Sequence, residues 1–262
     1  MTVSDLEICG MTVAPGERKR QDIPIAQTFD KTQLTMPMEI MRGEEKGPIL
    51  LLVAAMHGDE LNGCEIVKRI LNYRGLHKKL KGTIVAVPIV NVFGYNRNVR
   101  YLPDRRDLNR CFPGSKDGST GARIANVLLN DIAVHCTHAI DFHTGAIHRS
   151  NYPQVRASLD IPAVHDMAMS FNLPVILNAS LREASFRKSL NKMEIPCIVY
   201  EGGEALRYEE SIIKSGINGT LGVMASLGML PKGWVKLRTL KKMPFIAKSS
   251  VWMRAPDAGS LR

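Results

Sequence analysis

Two short motifs place histidine and glutamate side chains where they could bind a metal ion. His57 and Glu60 are three residues apart in the segment Met-His-Gly-Asp-Glu, directly after an apolar run. A tight turn at this spacing can direct an imidazole nitrogen and a carboxylate to one point, as a zinc site requires. His143, in the segment Asp-Phe-His-Thr-Gly, ends a second apolar run. Two histidines and one glutamate leave the fourth position of a tetrahedral zinc open for water, which is typical of a catalytic site.

The other histidines are weaker candidates for this site. His148 is close to His143 in sequence, in a loop that can reach the same pocket, and we keep it as the reserve ligand. Asp141 shares a strand face with His143, so it is expected either to orient that imidazole or to form a salt bridge within the sheet. The remaining histidines are interpreted as structural or surface residues: His77, His135, His138 and His165.

A polar stretch over residues 97–114 concentrates arginines near the proposed metal strand. Guanidinium groups bind carboxylates through paired hydrogen bonds, so this loop suits a small anionic substrate. The alternative is a solvated loop whose arginines pair with Asp104 and Asp107. The arginines are Arg97, Arg100, Arg105, Arg106 and Arg110.

A third signal is Glu201, which follows an apolar strand and precedes two glycines. A carboxylate near a metal-bound water is suited to act as a general base and then to pass the proton to a leaving amine. The alternatives are a strand-exit cap or a salt bridge to Arg207. The sequence contains no serine-hydrolase elbow, phosphate-binding glycine loop or His-Glu-x-x-His motif, which argues against those three kinds of site.

These candidates lie at the carboxyl ends of predicted strands that alternate with predicted helices. Such alternation indicates a mostly parallel sheet with helices on both faces, and sites collect beyond the carboxyl ends of its strands. Short strands at residues 23–27 and 34–40 precede this pattern, and a lone strand at 249–254 follows it. The strands of the main pattern are predicted at 49–56, 82–90, 139–143, 174–177 and 195–200, and the helices at 60–76, 119–135, 162–171, 183–193 and 209–227.

Composition narrows the class of protein. The chain has 262 residues, 45% of them hydrophobic and 23% charged, which is typical of a globular protein. The net charge of +10 comes from short, dispersed basic runs, so we expect no nucleic-acid partner. The longest apolar run, residues 48–56, is far shorter than the roughly 20 residues that cross a bilayer, so we expect no membrane partner and a cytoplasmic location. Five scattered cysteines predict free thiols.

Taken together, the motifs resemble the succinylglutamate desuccinylase/aspartoacylase family, a branch of the carboxypeptidase A-like zinc hydrolases. The resemblance covers about residues 10 to 260, by comparison of motif order. Its elements occur in sequence order as Gly47-Pro before the strand with His57 and Glu60, Asp107-Leu-Asn-Arg110, Asp141-Phe-His143-Thr, and Glu201-Gly.

The resemblance implies a role for each motif residue. One zinc ion is expected on His57, Glu60 and His143, with Glu201 as the general base. Asn109 and Arg110 are expected to hold a substrate carboxylate, and Arg106 is included among the substrate-binding residues. An arginine is expected to stabilise the oxyanion. Its position before the Asp-Leu-Asn-Arg element favours Arg100, and the spacing leaves Arg97 and Arg106 as alternatives.

The implied fold is a three-layer α/β/α arrangement with a mostly parallel, mixed central sheet. Residues 1–232 are predicted to form the catalytic domain, with residues 1–47 as its lead-in strands. Residues 233–262 are predicted to be a linker and the start of a C-terminal β domain that is otherwise missing, which would leave the entrance to the site open. This interpretation is compatible with a homo-oligomer.

The resulting hypothesis is a zinc-dependent hydrolase that cleaves an amide bond in a small carboxylate-bearing substrate, such as an N-acyl amino acid. A metallocarboxypeptidase acting on a peptide or cell-wall fragment is the nearest alternative. A non-catalytic protein that binds a metal or ligand is the alternative from another class.

Overall fold

The computed structural model describes residues 4–27, 30–236 and 243–251. Strands and helices alternate through most of these ranges. The strands are β1 (Leu6–Ile8), β2 (Met11–Val13), β3 (Arg18–Gln27), β4 (Gln33–Arg42), β5 (Glu45–Ala54), β6 (Lys81–Val87), β7 (His138–Gly145), β8 (Asn151–Ala157), β9 (Val175–Asn178), β10 (Cys197–Glu204) and β11 (Phe245–Ala247). The α-helices are α1 (Asn62–Leu71), α2 (Leu76–Lys79), α3 (Val92–Arg97), α4 (Thr120–Asn126), α5 (Pro162–Ser170), α6 (Phe186–Lys192) and α7 (Glu210–Ser226).

Nine of the described strands form one mixed sheet in the order β11-β9-β8-β10-β7-β5-β6-β4-β3. The central neighbours β6, β5, β7 and β10 run parallel to one another. Strand β8 runs antiparallel to β10. Strand β4 runs antiparallel to β6, and β3 runs antiparallel to β4. The predicted fold class, a mostly parallel mixed sheet between helical layers, is confirmed.

The apolar residues of β5 explain why helices cover both sheet faces. Leu50 and Leu52 are fully buried in a core beneath α1, α5 and α7, whereas Leu51 and Val53 are fully buried in a second core beneath α4 and α6. A central parallel strand must be apolar on both faces because both are covered. No helix within the described ranges is long and apolar enough to cross a bilayer.

The polar stretch after β6 contains more regular structure than its composition suggests. Helix α3 begins after Asn91, whose side chain accepts a hydrogen bond from the Gly94 N–H and so caps the helix. A single 3-10 turn, Leu108–Arg110, follows Asp107, which caps that turn in the same way. The helix predicted over residues 119–135 begins as expected at Thr120, but its hydrogen bonding changes to a π-helical segment at Val127–Ile132 and a 3-10 turn at Ala133–His135.

Two other strands differ from the sequence-based expectation. Strand β8 was not predicted, because Pro153 and several polar residues hide the alternation that buries Val155 and Ala157. Near the C-terminus, a strand was predicted over residues 249–254. The described part, 249–251, is not in a strand, and the rest lies outside the described residues. The strand in this region is instead β11, which pairs with β9 and so extends the main sheet. The domain boundary at residue 232 stays a prediction.

Candidate metal centre

Three elements bring the predicted metal ligands to one edge of the sheet. His57 and Glu60 lie between the end of β5 and the start of α1, and His143 lies near the carboxyl end of the neighbouring β7. Gly63 lets α1 approach these strands closely, because a Cβ atom there would lie 2.7 Å from Phe142 Cβ and 3.0 Å from Ala54 Cβ. The turn that carries Glu60 is therefore packed directly against both strands.

The two histidines converge on the two oxygens of one carboxylate. His57 Nδ1 lies 2.8 Å from Glu60 Oε1, and His143 Nδ1 lies 2.8 Å from Glu60 Oε2. All three side chains are buried, and one ligand atom from each lies within 4.8 Å of the others. The structure thus brings together the three residues that the sequence selected. Within the part of the chain that the structure describes, they are the one group of this kind.

The outer nitrogen of each histidine contacts an aspartate. His57 Nε2 lies 3.0 Å from Asp107 Oδ1, and His143 Nε2 lies 2.9 Å from Asp141 Oδ2. Such contacts fix the orientation and tautomer of a ligand imidazole, so that Nδ1 presents its lone pair to a metal ion. Asp141 therefore occupies the orienting position considered for it. The role of Asp107 was missed because it depends on a contact between residues fifty positions apart.

Strong electrostatic coupling accompanies this geometry. Burial acts to raise the pKa of Glu60, but His57 and His143 overcome this effect and hold that pKa well below its usual range. Burial lowers the pKa values of both histidines. Glu60 and the orienting aspartates outweigh it, raising the pKa of His57 and bringing that of His143 well above its usual value. The metal-free centre therefore favours an ionised carboxylate and protonated imidazoles.

Among the loop arginines, Arg100 makes direct contact with the centre. Its Nη1 donates to Glu60 Oε1 at 3.0 Å, and its Nη2 donates to Asp107 Oδ2 at 3.3 Å. These two bonds leave further guanidinium N–H groups for a ligand, since the group carries five donors. Arg106, by contrast, has an exposed side chain whose Nε lies 3.5 Å from Asp104 Oδ2, the surface pairing that the sequence left open.

Asn109 and Arg110 lie on the 3-10 turn beside Asp107. The side-chain oxygen of Asn109 accepts a hydrogen bond of 2.9 Å from the Phe186 N–H, so its amide nitrogen remains available to a ligand. Arg110 is exposed and donates to the Asn109 carbonyl. Its pKa is lowered by partial burial and by the charges of Arg182 and Arg100. Crowded cations of this kind favour a bound anion.

Glu201 lies on β10, in register with His143 on β7. Its Oε2 accepts a 2.6 Å hydrogen bond from Asn151 Nδ2, and its Oε1 lies 3.4 Å from Arg156 Nε. Burial raises the pKa of Glu201, while the charges of His143 and Arg156 partly oppose that shift. Both partners are on β8, so the sequence reasoning that missed β8 also missed them.

The reserve ligand, His148, is placed differently. Its side chain is exposed, and its backbone N–H donates to Glu204 Oε1 at 2.9 Å. It is not part of the buried three-residue group. His138, at the start of β7, contacts the hydroxyl of Thr137 at the opposite end of that strand.

The donor set fits a zinc ion. Two neutral imidazole nitrogens and one carboxylate are the usual ligands of a catalytic zinc with an open position, and each imidazole here has an outer carboxylate partner. The arrangement also suits manganese or cobalt in ligand type, with affinities that follow the general order for divalent metals.

Fold and site together define an α/β protein of the carboxypeptidase-like class, with a His-Glu-His cluster at the carboxyl end of its parallel strands. The chain belongs to the succinylglutamate desuccinylase/aspartoacylase family, whose catalytic-domain model matches residues 46–227. This is a family of deacylases.

Comparison with individual proteins agrees with this assignment. The chain is 33% identical over 107 residues to the N-alpha-acetyl-L-2,4-diaminobutyric acid deacetylase of Halomonas elongata, a match that covers 40% of this chain and 30% of that protein. Its fold is similar to the product-bound ectoine utilization protein EutE of Ruegeria pomeroyi, with a TM-score of 0.78, 20% identity, and coverage of 87% of this chain and 72% of the other.

A succinylglutamate desuccinylase/aspartoacylase from Rhodobacter sphaeroides has a TM-score of 0.74 and 23% identity, with coverage of 85% of this chain and 68% of the other. At these identities the two solved structures support the fold alone.

Proposed function

We propose that this chain is a zinc-dependent amidohydrolase that removes the acyl group from an N-acyl amino acid or a similar small amide carrying a carboxylate. The convergence of His57, Glu60 and His143, with Glu201 in register on the next strand, is the observation that carries this proposal. Membership of a deacylase family supports the same reaction class.

The three buried side chains would hold the metal through His57 Nδ1, His143 Nδ1 and the carboxylate of Glu60. Asp107 and Asp141 would keep both imidazoles in the tautomer that leaves Nδ1 free to coordinate. When bound there, zinc would supply Lewis-acid polarisation of the scissile carbonyl and of the attacking water.

Glu201 would carry the proton through the reaction. As a carboxylate it takes a proton from the attacking water, whose oxygen bonds to the carbonyl carbon. It then donates that proton to the nitrogen of the departing amine as the C–N bond breaks. The products are a carboxylic acid and an amine, and transfer of the acid's proton gives a carboxylate and an ammonium group at neutral pH. Asn151 and Arg156 contact the Glu201 oxygens, and burial raises the pKa of Glu201, which favours its protonation during the reaction.

The arginine-rich loop would bind the substrate. Arg100 would donate its remaining N–H groups to the oxyanion that develops on the carbonyl oxygen. The free amide nitrogen of Asn109 and the guanidinium of Arg110 would hold the substrate carboxylate. The exposed side chain of Arg106 would at most contribute at the edge of this region.

The test combines metal analysis with a hydrolysis screen. Purified protein is expected to contain about one zinc per chain and to release free amine from a panel of N-acyl amino acids. Short peptides are assayed in parallel, and preferential release of a C-terminal residue from them would favour a metallocarboxypeptidase instead. A protein that binds zinc but cleaves neither group of substrates would contradict the proposal and favour the non-catalytic alternative.

Substitution of the general base gives the sharpest measurement. Glu201→Gln preserves shape but cannot accept the proton, so turnover is expected to fall by at least about 100-fold while zinc content remains unchanged. Glu183→Gln, at an exposed position, is the matched control. Normal turnover in Glu201→Gln would remove Glu201 from the role of base. His57→Ala and His143→Ala are expected to lose zinc, measured by elemental analysis.

A further inference from the structure

The orienting aspartate of His143 has a second oxygen that no described group satisfies. Asp141 is 1% exposed, and its Oδ2 contacts His143 Nε2 at 2.9 Å. Its Oδ1 is buried and lacks a hydrogen-bond partner among the described protein atoms. Buried polar atoms in proteins are nearly always hydrogen-bonded, directly or through ordered water. This carboxylate therefore needs a further partner on the side facing away from His143.

A buried arginine near this aspartate has the complementary deficit. Arg187, in the first turn of α6, donates through Nη2 to the carbonyls of Ala179 at 3.1 Å and Ser180 at 2.7 Å. These two bonds fix the guanidinium, while its Nη1 is buried and has no described hydrogen-bond partner. The described structure thus contains an unsatisfied anionic acceptor on the sheet and an unsatisfied cationic donor on a helix that packs against it.

The packing of α6 places Arg187 on the side of the sheet that carries Asp141. Phe186 and Leu190 of α6 share a buried core with Ala139, which lies two residues before Asp141 on β7 and therefore on the same face of that strand. Burial lowers the pKa of Arg187, as do the charges of Arg156 and Arg182, whereas Cys197 and Asp141 raise it. Cys197 senses both charges: burial raises the pKa of this thiol, Asp141 raises it further, and Arg187 lowers it. Cys197 begins β10, where Val199 is in register with Asp141. Arg187 therefore faces the part of the sheet that carries Asp141.

We propose that Arg187 is a positioning residue for the metal centre, acting on Asp141 Oδ1 through an ordered water and so fixing the imidazole of His143. The proposal rests on the proposed function, because it concerns a ligand of the same metal. A neutral, metal-binding His143 leaves Asp141 as a buried anion. Since burying an unpaired charge is costly, a counter-cation with one unused donor stabilises this arrangement.

The sign of the effect distinguishes this role from simple charge repulsion. Arg187 is a cation near a site for a divalent cation, so removing its charge by Arg187→Gln would strengthen zinc binding if only long-range repulsion mattered. If Arg187 instead fixes Asp141, the same substitution weakens zinc binding because His143 loses its orientation. We expect a loss of about 10-fold, the lower end of the range for outer partners of metal ligands.

A double-mutant cycle tests whether the effect passes through Asp141. Zinc affinity is measured for the wild type, Arg187→Gln, Asp141→Asn and the double variant, by competition with a chromophoric chelator. Asp141→Asn is expected to cost about 10-fold to 100-fold. In that background, Arg187→Gln is expected to change affinity less than about 2-fold, because residues that act as a unit are not additive. Additive losses, or tighter binding by Arg187→Gln, would overturn the proposal.

Controls separate positioning from folding. Lys192→Gln removes the same charge from an exposed position in the last turn of α6 and is expected to leave zinc affinity unchanged. Thermal unfolding of the metal-free variants measures any purely structural loss. Should Arg187→Gln not fold, Arg187→Lys, which keeps the charge but not the planar fork, takes its place in the cycle. A wild type without zinc affinity overturns the proposed function as well, whereas normal affinity in folded Arg187 variants overturns only this proposal.

Discussion

Replacing Asp107 by asparagine is expected to weaken zinc binding by about 10-fold without unfolding the protein. Asp107 accepts from the Asn109 N–H at 2.9 Å and from Arg100 Nη2 at 3.3 Å, and its Oδ1 lies 3.0 Å from His57 Nε2. Burial acts to raise the pKa of Asp107, but His57 and Arg100 hold that pKa well below its usual range, so it acts as an anion. Asparagine keeps the acceptor oxygen and removes the charge.

The magnitude follows from the contact with His57. A hydrogen bond to a charged group contributes about 1.5–3 kcal/mol, and one between neutral groups contributes about 0.5–1.5 kcal/mol. The midpoints of these ranges differ by about 1.3 kcal/mol, which corresponds to nearly a 10-fold change in an equilibrium constant. Asp107→Ala removes the acceptor as well, and we expect it to approach a 100-fold loss, the upper end of the range for outer partners.

The assay is titration of metal-free protein with zinc in competition with a chromophoric chelator. Asp104→Asn is the matched control, because Asp104 lies on the same loop and carries the same charge. Asp104 is partly exposed and contacts Arg106 instead of His57. We expect Asp104→Asn to alter affinity less than about 2-fold, as exposed charges interact weakly. Equal losses in both variants would refute the reasoning, since they would show a general charge effect and not orientation of His57.

Three further predictions follow from the same structure. Because the pKa values of His57 and His143 are raised in the metal-free protein, zinc binding should release protons and weaken as the pH falls. Calorimetry in buffers of different ionisation enthalpy measures the number of protons released, and a binding enthalpy independent of buffer would contradict the prediction. If Arg100 stabilises the oxyanion, Arg100→Ala should lower kcat by about 100-fold to 1000-fold while zinc content is retained. A change confined to KM would instead show that Arg100 only binds the substrate in its ground state. Gly63→Ala should lower the free energy of unfolding by about 1–3 kcal/mol because of overpacking, since its Cβ would lie 2.7 Å from Phe142 Cβ. A free energy of unfolding in urea equal to that of the wild type would show that α1 and β7 can move apart without cost.

The parts of the fold that could be predicted are those whose local pattern matches their final environment. Strand β5 is apolar on both faces because both faces are covered. Its uninterrupted apolar run is visible in the sequence. Strand β8 could not be recognised in this way, since it contains polar residues, two of which contact Glu201, and Pro153 interrupts the pattern. Helix α3 was missed because it has six residues, including Gly94, and so lacks a clear helical period.

The residues of the candidate site could likewise be predicted only where the local sequence pattern identifies them. His57, Glu60 and His143 could be selected because each lies at or shortly after the carboxyl end of an apolar strand, and strand order then brings them together. The contribution of each arginine could not be assigned, because it depends on the path of the loop. That path brings Arg100 to Glu60 and leaves Arg106 on the surface. Asp107, Asn151 and Arg156 act through contacts between distant segments, which local spacing does not encode.

The antiparallel strand β8 bears on how the candidate site can evolve. Asn151 and Arg156 on β8 contact Glu201, whereas Asp107 and Asp141 contact the imidazoles from other segments. Under the proposed function, the hydrogen-bonding partners of the base and those of the imidazoles therefore lie on separate stretches of chain, while the charge of His143 acts on both groups. If Glu201 is the base, substitutions on β8 would alter its partners and leave those of the imidazoles in place, so evolution could adjust the two sets of contacts one at a time.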